Sequence, residues 1–196
     1  MAVAKAPSSF DLNSTLARDW ALQVNVGTQD EPDWVYVRGL SQFAPQSSPT
    51  MQDDSDIDSE GYKSQIATAL EMTFKGEGKR KGQKNGDTFK QDPGQAALRE
   101  KGRKMGLNNV IQARCWRTDG VQDGYDSYFS VKWEDQAGGN EDLDSFSFEL
   151  MSRGKPVAIK PVTDAKGKSV PLEGEGDGPI MAGGTASEAT DPGASS

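Results

Sequence analysis

Apolar residues recur at every second position over several short stretches, the spacing of strands with one face buried. Trp20, Leu22, Val24 and Val26 form the first such face, and the run 34–38 (WVYVR) gives a second strand rich in β-branched and aromatic residues. From Lys63 to Phe74, Ile66, Thr68, Leu70, Met72 and Phe74 alternate with their neighbours. Asn109 to Thr118 sets Ile111, Ala113 and Cys115 on one face and Val110 and Trp116 on the other. Tyr125 to Trp133 and residues 142–151 repeat the pattern through Phe129, Val131, Phe146, Phe148 and Leu150, and 157–160 predicts a short closing strand. A single helix interrupts the series. Asp92 is placed to cap it, Pro93 suits its first turn, Gln95 completes a capping box, and Gly106 is the expected stop.

About seven short alternating strands and one helix predict a mainly β chain. The expected fold is an antiparallel β-sandwich or barrel with one flanking α-helix. The predicted domain is 20–160, preceded by an N-terminal arm over 1–19 and followed by an acidic, Gly/Ser-rich flexible tail over 161–196. Within the domain, 41–60 shows almost no periodicity and reads as a long loop. The stretch 75–105 reads as a basic loop leading into the helix. Connections in compact domains are usually about 2–6 residues, so a loop this long points to function.

Composition narrows the function. Of 196 residues, 34% are apolar, and no run approaches the length needed to cross a bilayer. No histidine occurs, which removes Ser–His–Asp and Cys–His catalysis and histidine-ligated zinc. The one cysteine, Cys115, sits at an alternating apolar position and reads as an inert buried thiol. Asp54, Asp56 and Asp58 imitate the start of a calcium loop, but Ser59 stands where that loop needs glycine and Gln65 where it needs glutamate. No enzyme, metal or cofactor is expected.

The net charge of −8 is unevenly spread. Residues 75–104 hold ten bases against four acids, 53–60 hold five acids, and 119–150 hold nine acids against Lys132. Such segregation allows copies to associate head to tail, as in rings and filaments. Exposed sheet edges, normally a hazard, would then serve for pairing with neighbours. The alternative is a small β-barrel binding single-stranded nucleic acid through its basic segment and aromatics, against which the acidic sequence around 125–151 argues.

The order of features around the long loop supplies a resemblance. A strand ends in WVYVRGL at Leu40, a loop follows, then an Asp-Asp-x-Asp-x-Asp run, then Gly61, Tyr62 and Lys63 enter the next strand. This resembles the major tail (tail tube) proteins of long-tailed, siphovirus-type bacteriophages, especially those of actinobacterial hosts. The resemblance implies a structural virion protein assembled in the host cytoplasm. Six copies would form a ring whose inner wall is a continuous sheet. Stacked rings would form the tube through which DNA is ejected, without specific binding and without a membrane partner. The implied partners are further copies of the chain, the tape-measure protein and the tail-tip or terminator proteins. The stacking loop carried onto this chain is 41–60, with Gly39, Leu40, Asp53, Asp54, Asp56, Asp58, Gly61 and Tyr62 as contact residues. Lys79, Arg80 and Lys81 join them as an expected basic contact outside the lumen or between rings.

Overall fold

The computed structural model describes residues 14–59, 61–175 and 179; the expectations for 1–13, Glu60, 176–178 and 180–196 lie outside the described residues. One antiparallel eight-stranded sheet dominates, joined by a small two-stranded hairpin and one helix. In chain order the strands are β1 Trp20–Asn25, β2 Trp34–Tyr36, β3 Leu40–Asp53, β4 Gln65–Lys79, β5 Gly82–Asn85 and β6 Thr88–Gln91. Helix α1 Pro93–Gly102 follows, then β7 Val110–Arg117, β8 Gly124–Gln136, β9 Ser145–Ser152 and β10 Val157–Ala158. The sheet runs β2-β1-β7-β8-β9-β4-β3, with β10 added on β8.

The sheet curls on itself. β1 and β3 stand far apart in strand order, yet Trp20 meets Phe43 edge-on with ring centroids 6.1 Å apart. Inside the curl lie Leu22, Val24, Phe43, Phe74, Ile111, Ala113, Cys115, Phe129, Val131, Phe146, Phe148 and Leu150. These include most of the alternating residues read from β1, β7, β8 and β9, but not Val26, which lies beyond the end of β1 and is exposed. Phe74 and Phe129 stand 4.4 Å apart at the centre. Leu98 of α1 is fully buried and plugs one side of the curl. Cys115 is buried, and burial raises its thiol pKa well above the ordinary value.

The helix begins as its capping signal requires: the Asp92 carboxylate accepts from the Gln95 N–H at 3.2 Å. It ends earlier than expected, with Arg103 rather than Gly106 at its C-terminal cap. Gly106, at φ 62°, instead opens a short 3₁₀ turn over Gly106–Asn109.

The larger correction concerns 41–60. It is not a structureless loop, because Leu40–Asp53 is a fourteen-residue strand paired with β4 from Leu40↔Gly78 out to Asp53↔Gln65. The pattern was invisible because Ser41, Gln42, Gln46, Ser47 and Ser48 are polar and Pro45 and Pro49 interrupt them. Almost nothing along this strand is buried, so neither face needed to be apolar.

Candidate assembly surface

β4 pairs with β9 only over Thr73–Lys79. Residues 65–72 therefore pair with β3 alone, as a two-stranded arm leaving the body of the sheet. At about 3.3 Å per residue these eight residues reach roughly 26 Å. A two-stranded ribbon standing alone in water is only marginally stable.

The arm carries apolar side chains where a solvated ribbon would carry none. Leu70 is 75% exposed, on the face that continues inward to the buried Phe74 and that also carries the exposed Met51; Ile66, exposed too, lies on the other face, because the register shift between Thr50 and Met51 reverses the alternation. At the tip, Ile57 is wholly exposed and Tyr62 is 80% exposed. The tip is closed by polar bonds: the Asp54 N–H donates to the Ser64 carbonyl at 3.0 Å, and the Ser64 N–H to the Ser55 hydroxyl at 2.8 Å. Hydrogen bonds from Ser55 hold the Asp53 carboxyl below its ordinary pKa. Asp54, Asp56 and Asp58 face solvent around a short 3₁₀ turn at Ile57–Ser59. Among the described residues, no three acidic side chains gather into a metal-holding group.

The predicted contact residues thus divide. Asp53, Asp54, Asp56, Asp58, Gly61 and Tyr62 sit together at the arm tip. Gly39 and Leu40 do not. Gly39, at φ 80°, turns beneath α1, where an added Cβ would lie 2.6 Å from the Lys79 carbonyl oxygen, and Leu40 packs on the core. Lys79 and Lys81 are exposed at the inner end of β4. Arg80 is engaged within its own chain. Its Nη1 meets Asp144 at 2.9 Å, its Nη2 lies 3.4 Å from Asp135, and its backbone N–H donates to the Asp144 carbonyl.

The charge blocks meet in the same way. Arg99 and Arg103 reach Asp135 at 3.3 and 3.2 Å, and Lys75 reaches Glu149 at 2.9 Å. The Trp133 indole N–H, with Arg80 and Arg99, holds the Asp135 carboxyl below its ordinary pKa. Four of the ten bases of 75–104, Lys75, Arg80, Arg99 and Arg103, thus meet acids of the block 119–150 within the same chain. Those four are spent internally, which weakens both the head-to-tail attraction of the blocks and the basic face that a nucleic-acid interface would need. The acidic arm tip keeps its charge facing outward.

The sheet edges are poorly suited to pairing with a neighbour. β2 is only three residues long. Along β3, Pro45 and Pro49 occupy paired positions, which proline tolerates where its nitrogen faces the open side. The free edge consequently lacks donors at both places, a device that discourages strand addition. Contact through this arm falls to its faces and tip.

Sequence reasoning missed a buried polar cluster on the other face of the sheet. Arg114 donates from Nε to Gln23 Oε1 at 2.9 Å, from Nη1 to the Gly167 carbonyl at 2.8 Å, and from Nη2 to the Ala165 carbonyl at 3.0 Å. Its guanidinium lies 4.0 Å over the Trp34 ring. Asp126 accepts from the Ser169 hydroxyl at 2.5 Å and from the Gln112 amide at 3.0 Å. Burial lowers the Arg114 pKa to about 10 and raises that of Asp126. The cluster clamps the chain after β10 across β1, β7 and β8. Arg114 and Asp126 alternate with apolar residues and so look like an ordinary solvent face in the sequence; no signal marks the strap that covers them.

No family model matches the chain, and no curated protein does. Solved structures do. One is a chain of the C6-symmetric tail of an empty gene transfer agent particle, at TM-score 0.55 and 14% identity, covering 73% of this chain and 97% of that one. Another belongs to the virion of the native particle, at TM-score 0.51 and 14% identity, with the same coverage. This fold occurs in particle tails. A chain of the anti-feeding prophage baseplate is more distant, at TM-score 0.47 and 9% identity over 76% of this chain and 99% of that one, and carries no weight.

Proposed function

We propose that this chain is the tube subunit of a siphovirus-type phage tail, assembled in the cytoplasm of an actinobacterial host and resident in the virion. Copies close into six-membered rings, and the rings stack into the conduit for ejected DNA. The observation that carries the reading is the arm, a ribbon that leaves the sheet with Leu70, Ile57 and Tyr62 largely exposed and acids at its tip. The fold likeness to particle-tail chains supports it. A conduit must not grip DNA, and a chain of net charge −8 offers phosphates little counterion exchange. Tape-measure and terminator proteins would set the length of the tube.

The test is the full chain at high concentration, examined by negative-stain electron microscopy and sedimentation. A second variant has residues 47–71 replaced by a two-residue turn. Hollow tubes or stacked rings are expected from the full chain, and no stacking from the short-armed one. A full chain that stays monomeric across ionic strengths, indistinguishable from the short-armed variant, would overturn the reading.

A further inference from the structure

The geometry points to a receptor for the arm tip: the groove between the C-terminal half of α1 and the turn after β1, on a second copy of this chain. This names the partner surface of the stacking reading and rests on it.

The groove holds about 420 Å³ and is lined by Val26, Ala97, Lys101, Lys104, Leu107 and Tyr128, among others. Val26 and Leu107 stand exposed on it, beside polar side chains that include Thr28, Gln29 and Gln112. Its charged residues are Lys101 and Lys104 against Glu100, and Lys101 makes no ion pair among the described residues. Arg99 and Arg103 are spent on Asp135, and Lys104 on Glu100 at the helix surface. The arm tip is the converse, two exposed apolar side chains, Ile57 and Tyr62, set among acids. Over 53–63 there are five acids and one base. Apolar side chains set among acids fit a groove that offers Val26 and Leu107 for contact and the ammonium of Lys101 for charge.

Strand register decides whether the plug can belong to the same molecule. Thr73 of β4 lies in one row with Met151 of β9, Ser130 of β8 and Val110 of β7. From that row the arm leaves through Met72 toward Gln65. Carried across the antiparallel sheet, this is the direction from Val110 toward Arg117. The groove opens at the opposite end, at the start of β7 and the end of β1. The arm therefore points away from its own groove and toward the end that another molecule presents. Contacts of this kind are heterologous and repeat, which is the requirement for a stack.

The test uses two full-length variants, Ile57→Cys and Leu107→Cys, mixed in equal amounts and treated with a short bismaleimide. Cys115 is buried and does not compete. A cross-linked heterodimer is expected. Adding Lys101→Glu and Lys104→Glu to the groove copy should cut its yield about tenfold, the loss that about 1.4 kcal/mol produces. Adding Asp54→Lys and Asp58→Lys to the tip copy as well should restore it. Rescue by the swapped pair is not expected of substitutions that merely damage folding. Tubes without the cross-link would overturn the docking and leave the tube reading standing. The cross-link and its rescue without tubes would uphold the docking and overturn the stacked tube. Neither tubes nor cross-link would overturn both.

Discussion

Replacing Arg114 tests whether the polar cluster is what holds the chain after β10 onto the sheet. Arg114 is fully buried and donates to four acceptors, Gln23 Oε1 in the interior and the Ala165 carbonyl, the Gly167 carbonyl and the Ser169 hydroxyl at half-buried positions. Arg114→Met keeps much of the apolar stem and removes all of these donors. Each stranded acceptor costs on the order of 1 kcal/mol or more. The change also removes a positive charge that favours the Asp126 carboxylate, without breaking an ion pair. The expected loss is therefore the sum over the stranded acceptors, about 3–4 kcal/mol. Arg114→Lys should recover only part of the loss, since an ammonium cannot span the acceptors that the guanidinium fork reaches. Urea unfolding followed by tryptophan fluorescence reads the total, because Trp34 and Trp116 lie under the guanidinium. Amide exchange reads the location: protection at Lys160 and Leu172, whose N–H groups bond across to Val170 and Ala158, should fall before that of β8. A loss under about 1 kcal/mol, or exchange that rises evenly through the sheet, would refute the clamp.

Two further outcomes follow from the same side chains. Burial raises the Asp126 pKa above 3.8 in the fold, so between the unfolded and folded values the folded chain holds more protons. The stability of the wild type relative to Asp126→Asn should then fall as pH rises through that window. Melting curves of both from pH 3 to 7 check this, and a gap that instead moves in favour of the wild type with rising pH would mean that Arg114 more than offsets the burial. For the basic triplet, Arg80→Glu sets a carboxylate against Asp135 and Asp144 and should destabilise the isolated chain by about 2–3 kcal/mol. Lys79→Glu and Lys81→Glu, both exposed, should stay within about 0.5 kcal/mol in the same melts, and equal effects at all three positions would contradict the intrachain role given to Arg80.

What the sequence made legible follows burial. Strands β1, β7, β8 and β9 each turn one side chain in two into the curl, and the alternation of Leu22, Val24, Ile111, Ala113, Phe129, Val131, Phe146 and Phe148 records it. Asp92 and Gln95 announced the helix start because capping is a local interaction. β3 escaped notice because its outer half is wet on both faces, so no alternation was imposed on it. The charge blocks were plain, but which block meets which depends on β4 lying beside β9 and α1 lying against β8, and that pairing is non-local. Arg114 escaped for the converse reason: the strap that buries it comes from residues more than fifty positions away.

The arm and its prolines together constrain how copies could meet. Fully burying a side chain such as Leu70, Ile57 or Ile66 is worth about 1.5–3 kcal/mol each, and this chain leaves them in water. An isolated chain gains nothing from extending a marginal ribbon with those residues exposed. A partner gains all of it. Simple strand addition would be the easy way to recruit one, yet Pro45 and Pro49 withhold donors along the open edge. Backbone pairing is indifferent to side-chain identity and to register, so an arm joined that way could slip or recruit unrelated edges. An arm that must bind through Ile57, Tyr62 and the acids around them can seat in one place only, and on this reading the prolines trade adhesion for register.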